Sequence, residues 1–210
     1  MMVAVVRHGE TDWNTQGLIQ GQTDIPLNDN GLRQARRAAA WFEKKGGWER
    51  LYSSPLSRAL QTAEIIGAAT QLAPQIIPGL MERRFGALEG LSLEERERLF
   101  PHRLEAEETV PGLESRSDLK ERVIYNWRQI VNQPRQEKTG APTRIVVVSH
   151  GGWIGQLLSF ISDGKIGAGV TKAGNGSVFL LTRGDGLTWT YEEVEFEPEA
   201  TSSPDCPFKF

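Results

Sequence analysis

Two short runs of consecutive apolar residues each lead into a histidine. The run at 3–6 (VAVV) is followed after one residue by His8, and the run at 145–148 (IVVV) is followed after one residue by His150. Unbroken runs of this length, rich in β-branched residues, are typical of parallel strands that are buried on both faces. Because parallel strands present their carboxyl ends on one side of a sheet, the two histidines should face one crevice if their strands are neighbours.

Helical spacing and turn signals fill the stretches between these runs. Helices are predicted from the Asn28 cap to glycines 46–47, from Ser54-Pro55 to about Ala69, from the Ser92 capping box, from Ser115 to Val131, and from His150 to about Ile161. Short strands are predicted at 50–53 and 75–77, and an antiparallel hairpin at 177–182 and 187–194 around residues 183–186 (RGDG). This alternation predicts an α/β fold, a three-layer α/β/α sandwich whose sheet is mainly parallel with an antiparallel edge.

The length of 210 residues suits one domain. We expect it to span 1–196, with the more polar stretch at about 90–115 as a cap or insertion, residues 134–142 as a loop, and 197–210 as a flexible C-terminal tail. A net charge of −3 and a pI of about 5.7 give no basic face, so nucleic acid is not expected as a partner. Cys206 is the single cysteine, which excludes a disulfide or a cysteine metal site within the chain.

The chain carries no targeting signal that its composition reveals. The apolar start at 1–6 is too short for the core of a signal peptide, and no later stretch approaches a membrane span. These features predict a cytoplasmic protein with no membrane partner. We expect a monomer or a homodimer, and an exposed edge strand near 177–182 could support the dimer.

The two histidines at the strand ends are the first candidates for chemistry. The chain has three histidines, and the third, His102, follows no such strand. A lone histidine is more often a satisfied core or loop residue than a catalytic one. Here His8 and His150 are each followed by glycine, which exposes backbone amides and lets a ligand approach closely. The paired context therefore favours a ligand site.

Two arginines and one glutamate complete the candidate set. Arg7 adjoins His8, and Arg58 falls in the first turn of a predicted helix, where its guanidinium and the helix amides suit phosphate oxygens. A solvated helix face is the alternative for Arg58. Glu82 is the best candidate acid, and the alternative for it is an ion pair with Arg83 or Arg84, which the sequence leaves open.

These residues carry a family resemblance. The segment Arg7-His8-Gly9-Glu10-Thr11 with residues 13–14 (WN) resembles the signature of the histidine phosphatase superfamily, which includes the phosphoglycerate mutases. The resemblance continues through residues 21–27 (GQTDIPL), 53–63 (SSPLSRALQTA), 82–90 (ERRFGALEG) and 148–152 (VSHGG), and it spans roughly residues 2–182. It implies a phosphoglycerate mutase-like fold and a histidine acid-type phosphatase, a hydrolase of phosphomonoesters.

The resemblance also implies a mechanism without metal or cofactor. His8 would attack the phosphorus of a small phosphorylated metabolite, and Glu82 would protonate the departing oxygen and then activate water. The phosphoryl oxygens would be held by Arg7, Arg58 and protonated His150, together with Asn14, Gln20, Gly21 and the Gly151 amide. Splitting the displacement through a covalent intermediate and stabilising its charge with cationic groups is sound phosphoryl-transfer chemistry.

Three alternatives remain open. In a phosphoglycerate mutase primed by 2,3-bisphosphoglycerate, phosphohistidine would return its phosphoryl group to a second hydroxyl. Such mutases usually have tyrosine in place of Phe85 and a longer, arginine-rich insertion; here the segment before Ser115 is short and carries Glu105, Glu107 and Glu108 beside Arg98 and Arg103. A metal-dependent hydrolase would use His8, His150 and Glu82 as ligands, although no helical His-x-x-x-His pair is present. A binding-only module would hold phosphate without forming phosphohistidine.

Overall fold

One mixed sheet of six strands organises the molecule. The computed structural model describes residues 1–101, 107–133, 143–167, 173–184 and 188–196. The strands are β1 (Met2–Arg7), β2 (Arg50–Ser53), β3 (Gln75–Ile76), β4 (Arg144–Ser149), β5 (Val178–Arg183) and β6 (Trp189–Glu193). Their order is β3-β2-β4-β1-β5-β6; β3, β2, β4 and β1 run parallel, and β5 and β6 continue the sheet antiparallel. The expected mainly parallel sheet with an antiparallel edge is confirmed.

The positions of β1 and β4 decide whether the two histidines share one crevice. These strands are neighbours, and their register pairs Arg7 with Ser149. The residue that follows each strand is therefore delivered to the same edge of the sheet, with His8 after β1 and His150 after β4. β2 lies on the other side of β4 and brings Ser53 opposite Val148.

Six α-helices connect and cover the strands. They are α1 (Asp12–Thr15), α2 (Asp29–Lys45), α3 (Ser57–Thr70), α4 (Leu93–Leu99), α5 (Arg116–Val131) and α6 (Gly151–Ile161), with short 3₁₀ turns at Pro78–Leu80, Gly86–Leu88 and Glu107–Thr109. The predicted caps hold: Asn28 accepts from the Gly31 amide, Ser92 forms a capping box and Ser115 caps α5. Helix α1 was not predicted because a four-residue element leaves no periodicity to detect.

The start of α3 differs from the prediction. The helix begins at Ser57 with Leu56 as its N-cap, not at Ser54-Pro55. The Ser54 hydroxyl instead accepts from the Leu56 amide at 3.3 Å and contacts the His150 ring at 2.8 Å. The serine that looked like a cap thus belongs to the crevice, and Arg58 still lies in the first helical turn.

The helices form a layer on each face of the sheet. Val3 and Val5 join the core that contains residues of α5 and α6, whereas Ala4 and Val6 join the core that contains residues of α2 and α3. Strand side chains alternate between faces, so a strand buried on both sides needs an unbroken apolar run. Each buried valine contributes about 1.5–3 kcal/mol to folding. The three-layer sandwich is confirmed.

At the periphery, one predicted edge strand is wrong, and several predicted segments lie outside the described residues. The strand at 178–183 is not an exposed edge, because β6 covers it; within the described chain, the sheet ends at β3 and β6. Residues 102–106 of the expected cap, the loop at 134–142, the turn residues 185–187 and the tail at 197–210 lie outside the described residues. The domain boundaries stay a prediction. None of the described helices combines the length and the apolar character that crossing a membrane requires.

Candidate active site

A cavity of about 740 Å³ opens at the carboxyl ends of β1 and β4. This is where ligand sites form in open α/β sheets. The lining includes seven of the residues that the sequence singled out, namely Arg7, His8, Asn14, Gln20, Arg58, Glu82 and Gly151, and it continues into Gly152. Most of the predicted constellation therefore comes together in one place.

The His8 ring is held as a neutral base. Its side chain is 3% exposed, and its Nδ1 lies 2.7 Å from the Gly9 carbonyl oxygen. Because a carbonyl only accepts, Nδ1 carries the proton and Nε2 keeps its lone pair. Burial, reinforced by the positive charges of Arg58 and Arg7, lowers the pKa of His8 well below 6.5. His8 is thus a neutral imidazole with an unprotonated Nε2 at physiological pH.

His150 stands beside His8, with ring centroids 5.0 Å apart. Its Nε2 lies 2.8 Å from the Ser54 hydroxyl, and its Nδ1 has no hydrogen-bond partner among the described residues. Burial first, and then the charge of Arg58, lowers the pKa of His150 well below 6.5. The protonated His150 that the family resemblance implies is therefore not the form that these surroundings alone favour. A bound phosphoryl dianion would raise that pKa by opposing charge.

Arg58 and Arg7 are anchored at their tips by backbone oxygens. Arg58 is 1% exposed and donates to the carbonyls of Gly21 at 2.7 Å and Thr23 at 2.9 Å. Arg7 donates to the carbonyl of Ala173 at 2.6 Å. Burial lowers the pKa of Arg58 to about 10, so the guanidinium stays charged at neutral pH. The Nε of each arginine has no partner within the described chain, which leaves donors for an anion.

Glu82 is fixed by amides and not by an ion pair. Its carboxylate accepts from the Gly152 amide at 3.0 Å and from the Arg83 amide at 2.8 Å. The side chain of Arg83 bonds to Glu107 and that of Arg84 to the Gly112 carbonyl. A Cβ at Gly152 would run into the Glu82 carboxylate, so any larger residue there would have to displace that carboxylate. The ion-pair interpretation of Glu82 is wrong, and its carboxylate lies in the wall of the cavity.

The remaining predicted binding residues differ in how they are placed. The Asn14 amide oxygen accepts from the Asn175 side chain at 3.0 Å. Gln20 is 8% exposed, and its Oε1 is buried without a partner in the described chain. Gly151 begins α6 and lies next to the Arg7 guanidinium. Gly21 supports the site indirectly, because its carbonyl oxygen accepts a hydrogen bond from Arg58.

Comparison with known proteins decides the family. The sequence profile of the histidine phosphatase superfamily (branch 1) matches residues 3–195. This chain belongs to the histidine phosphatase superfamily. It is 40% identical to the uncharacterized phosphatase PhoE of Bacillus subtilis over 162 residues, which cover 77% of this chain and 78% of PhoE.

Two further relatives of this superfamily member carry different names, one that of a mutase-like protein and one that of a phosphatase. Phosphoglycerate mutase-like protein 4 of Arabidopsis thaliana is 35% identical over 198 residues, covering 90% of this chain and 83% of the relative. The mycobacterial glucosyl-3-phosphoglycerate phosphatase, solved in complex with VO3, superposes with a TM-score of 0.76 at 26% identity, covering 93% of this chain and 98% of that one. The phosphoglycerate mutase-like fold is thereby confirmed.

Several residues of this histidine phosphatase site escaped the sequence analysis. Ser54 looked like a helix cap. Glu89 accepts from the amides of Gln22, Thr23 and Phe85 and thus holds the loop whose carbonyls anchor Arg58. Gly21 in that loop has φ 54°, and a Cβ there would enter the Glu89 carboxylate. The motif around Glu89 was visible in the sequence, but its role was not.

The metal-site alternative requires His8, His150 and Glu82 to converge on one ion. Across the described residues, no group of three or more His, Cys, Asp or Glu side chains has an arrangement that could hold a metal. The positive charges of Arg7 and Arg58 lie in the same cavity. The same charges that would repel a dication suit an anion.

Proposed function

We propose that this protein is a phosphomonoesterase that works through a phosphohistidine on His8. The observation that carries the proposal is the environment of His8. A neutral imidazole, fixed by the Gly9 carbonyl, shares one cavity with the buried guanidinium of Arg58, the half-buried one of Arg7 and a carboxylate. This combination supplies a nucleophile, charge stabilisation for a phosphoryl group and a proton carrier.

In the first step, His8 Nε2 bonds to phosphorus while the bond from phosphorus to the ester oxygen breaks. A proton that is taken up with the dianionic ester passes from Glu82 to that oxygen, so the alcohol leaves neutral. The charge on the phosphoryl oxygens is met by Arg7, Arg58 and the ring of His150, which takes up a proton as the dianion binds. Donors that are already oriented cost little reorganisation during the reaction.

In the second step, water attacks phosphorus and the bond to Nε2 breaks. The ionised Glu82 accepts the proton of the attacking water, which returns the carboxyl group to its starting form. His8 is released as the neutral imidazole that its burial favours. Inorganic phosphate then leaves, and the site is ready for another ester.

The cavity and the relatives favour a small phosphorylated metabolite as substrate. A volume of about 740 Å³ falls in the range of small-molecule sites, about 300–1,000 Å³. The mycobacterial relative is a phosphatase of glucosyl-3-phosphoglycerate, and the relative from B. subtilis is also named a phosphatase. A screen of phosphorylated metabolites, run with and without 2,3-bisphosphoglycerate, separates hydrolysis from the mutase reaction. Stimulated isomerisation of 3-phosphoglycerate would show that the phosphoryl group goes to a second hydroxyl instead of water.

The decisive test replaces the nucleophile. We expect 4-nitrophenyl phosphate to be hydrolysed in the presence of EDTA and inhibited by vanadate. His8→Ala should lower kcat at least about a thousandfold. Acid quenching after mixing with a ³²P-labelled substrate should trap label on the wild type and none on His8→Ala.

A matched control uses the third histidine. His102→Ala should keep the rate and the labelling of the wild type. Full activity in His8→Ala would contradict the mechanism. Phosphate binding without labelling in the wild type would instead indicate a binding module.

A further inference from the structure

Three charged residues form a bridge at the edge of the cavity; we refer to Arg83, Glu107 and Arg116 as the rim triad. Glu107 Oε1 lies 3.0 Å from Arg83 Nη2 and 2.8 Å from Arg116 Nε. Glu107 Oε2 accepts from the Arg116 backbone amide at 3.1 Å. One carboxylate therefore bonds to two guanidinium groups and to the backbone amide of the first residue of helix α5.

Two members of the rim triad line the cavity, and the third, Glu107, bonds to both of them. Arg83 and Arg116 both line it, next to Leu18, Ile19, Phe85 and Leu119. The nucleophile and its arginines lie in the same cavity, so a phosphoryl group bound by Arg58 leaves this other wall for the rest of the ester. That wall combines apolar side chains with the rim triad. Arg83 also packs over the Phe85 ring at 5.5 Å.

The charges of this wall are already balanced in part. Burial raises the pKa of Glu107, but hydrogen bonds from Arg83 and Arg116 outweigh it and hold the pKa below 4.5, so Glu107 is anionic at neutral pH. Glu114 and Arg122 form a second pair at 2.8 Å and neutralise each other. The side chains of Arg83 and Glu107 are only 13% and 21% exposed. A second anionic group on a substrate would have to displace the Glu107 carboxylate from these arginines or share them with it.

We infer that Glu107 is an internal counter-ion that sets specificity: it disfavours phosphomonoesters whose leaving group carries a second anion and favours uncharged leaving groups. This inference rests on the proposed function, because it assigns the leaving group to the wall that the rim triad shares. The physical basis is competition. Two arginines that bind a tethered carboxylate are weaker partners for an incoming one, whereas an uncharged group meets only the apolar wall.

The test uses two aryl phosphates of nearly equal shape. 4-Carboxyphenyl phosphate carries a second anion, and 4-carbamoylphenyl phosphate is its neutral amide. We expect the wild type to prefer the amide in kcat/KM. Glu107→Gln should raise kcat/KM for the carboxylate about fivefold and change that for the amide less than about twofold, as expected for removing one partly exposed charge.

Two matched variants separate local charge from general effects. Glu121→Gln removes an exposed carboxylate elsewhere on α5 and should leave the preference unchanged. Adding Arg116→Gln to Glu107→Gln should reverse part of the gain. If thermal melting shows that Glu107→Gln does not fold, Arg116→Gln alone tests the same charge. It should lower the carboxylate's kcat/KM relative to that of the amide.

Binding provides a readout that does not depend on turnover. In His8→Ala the probes are held without cleavage, and calorimetry gives Kd for each. The Kd ratio of the two probes should shift by a similar factor when Glu107→Gln is added. An unchanged ratio, or a wild type that prefers the carboxylate, would overturn the inference whether or not the wild type hydrolyses the probes. Failure of hydrolysis with a shifted Kd ratio would count against the proposed function alone.

Discussion

The floor and the rim of the cavity are built on different principles. We use floor for His8, Arg58 and His150, which are 3%, 1% and 0% exposed. The polar contacts of His8 and Arg58 are made with backbone carbonyls. In the rim triad, the side chains bond to one another, and Arg116 is 64% exposed. Main-chain carbonyls hold His8 and Arg58, whereas His150 bonds to the Ser54 hydroxyl, and the rim depends on side chains that single substitutions can exchange.

We expect catalysis to depend on the floor and substrate selectivity to depend on the rim. The Gly9 carbonyl just after β1 holds His8, and the loop carbonyls that hold Arg58 are fixed by Glu89, so both side chains are oriented before substrate arrives. Ion pairs at a partly exposed rim contribute little to stability, commonly about 0–1 kcal/mol. Their charge can therefore vary between relatives with little cost to the fold. We expect floor substitutions to change kcat and rim substitutions to change the preference between substrates.

After His8→Ala, the largest effect should come from substituting Glu82, the proposed proton carrier. Glu82→Gln keeps an acceptor for one of the two amides that hold the carboxylate but cannot donate an acidic proton. We expect kcat for an alkyl phosphate to fall about 100- to 10,000-fold. For 4-nitrophenyl phosphate the loss of phosphoenzyme formation should be much smaller, because 4-nitrophenolate departs without protonation. Single-turnover kinetics with both esters measures the two losses.

The control for this prediction is the dependence on the leaving group. A residue that only shaped the cavity would slow both esters by the same factor. Equal losses for the alkyl and aryl esters would therefore assign Glu82 to structure. Vanadate inhibition should survive in Glu82→Gln, because Arg7 and Arg58 are unchanged.

The sequence was informative about the floor because its signals are local. The runs at 3–6 and 145–148 place a histidine after each of two strands, and the strands proved to be neighbours. Burial on both faces leaves a hydrophobic pattern that a single sequence displays. The arginine of α3 was found through the motif that surrounds it, although the helix starts later than its serine and proline suggested.

Local sequence signals could not reveal the rim triad or the contact between Ser54 and His150. Ser54 meets His150 across 96 positions of the chain, and Glu107 meets Arg83 across 24. Contacts between side chains on loops and 3₁₀ turns produce no periodicity. Glu107 was noticed only as one acidic residue among several in the segment before Ser115. Its choice of partner depends on tertiary structure, which composition does not encode.

A smaller effect should follow from removing the support of His150. In the proposed mechanism His150 is protonated when a phosphoryl group is bound, and its Nε2 then donates to the Ser54 hydroxyl, which stabilises the imidazolium. Ser54→Ala should lower kcat about tenfold at neutral pH, the effect of losing one hydrogen bond to a charged group. The pKa of His150 in the complex should fall, so the alkaline limb of the kcat profile should move to lower pH. Steady-state rates from pH 5 to 9 measure both changes.

Ser53→Ala is the matched control for that substitution. Ser53 is also fully buried, but its hydroxyl donates to the Ser54 carbonyl and not to His150. Its pH profile should keep the shape of the wild type even if the rate declines. A uniform loss across pH in Ser54→Ala would show that the serine acts through packing alone.

The smallest effect concerns stability and separates the two regions without any substrate. Burial lowers the pKa of His8 and of His150 in the folded protein well below 6.5, the value expected when unfolded. Above pH 6.5 both states hold these rings neutral. As pH falls below 6.5, these histidines become protonated in the unfolded chain but stay neutral in the folded chain. The free energy of unfolding should therefore fall by up to about 1.4 kcal/mol per histidine for each pH unit.

Urea unfolding at pH 7.5 and 5.5 in phosphate-free buffer tests this assignment. His150→Asn should show a visibly smaller loss of stability between the two pH values than the wild type. Glu107→Gln should show the same loss as the wild type, because the pKa of Glu107 lies below 4.5 and its charge does not change in this window. Added phosphate should reduce the loss, since an anion on Arg7 and Arg58 favours the protonated His150 ring. Equal pH dependence in wild type and His150→Asn would place the acid sensitivity outside the floor and remove the distinction between the two regions.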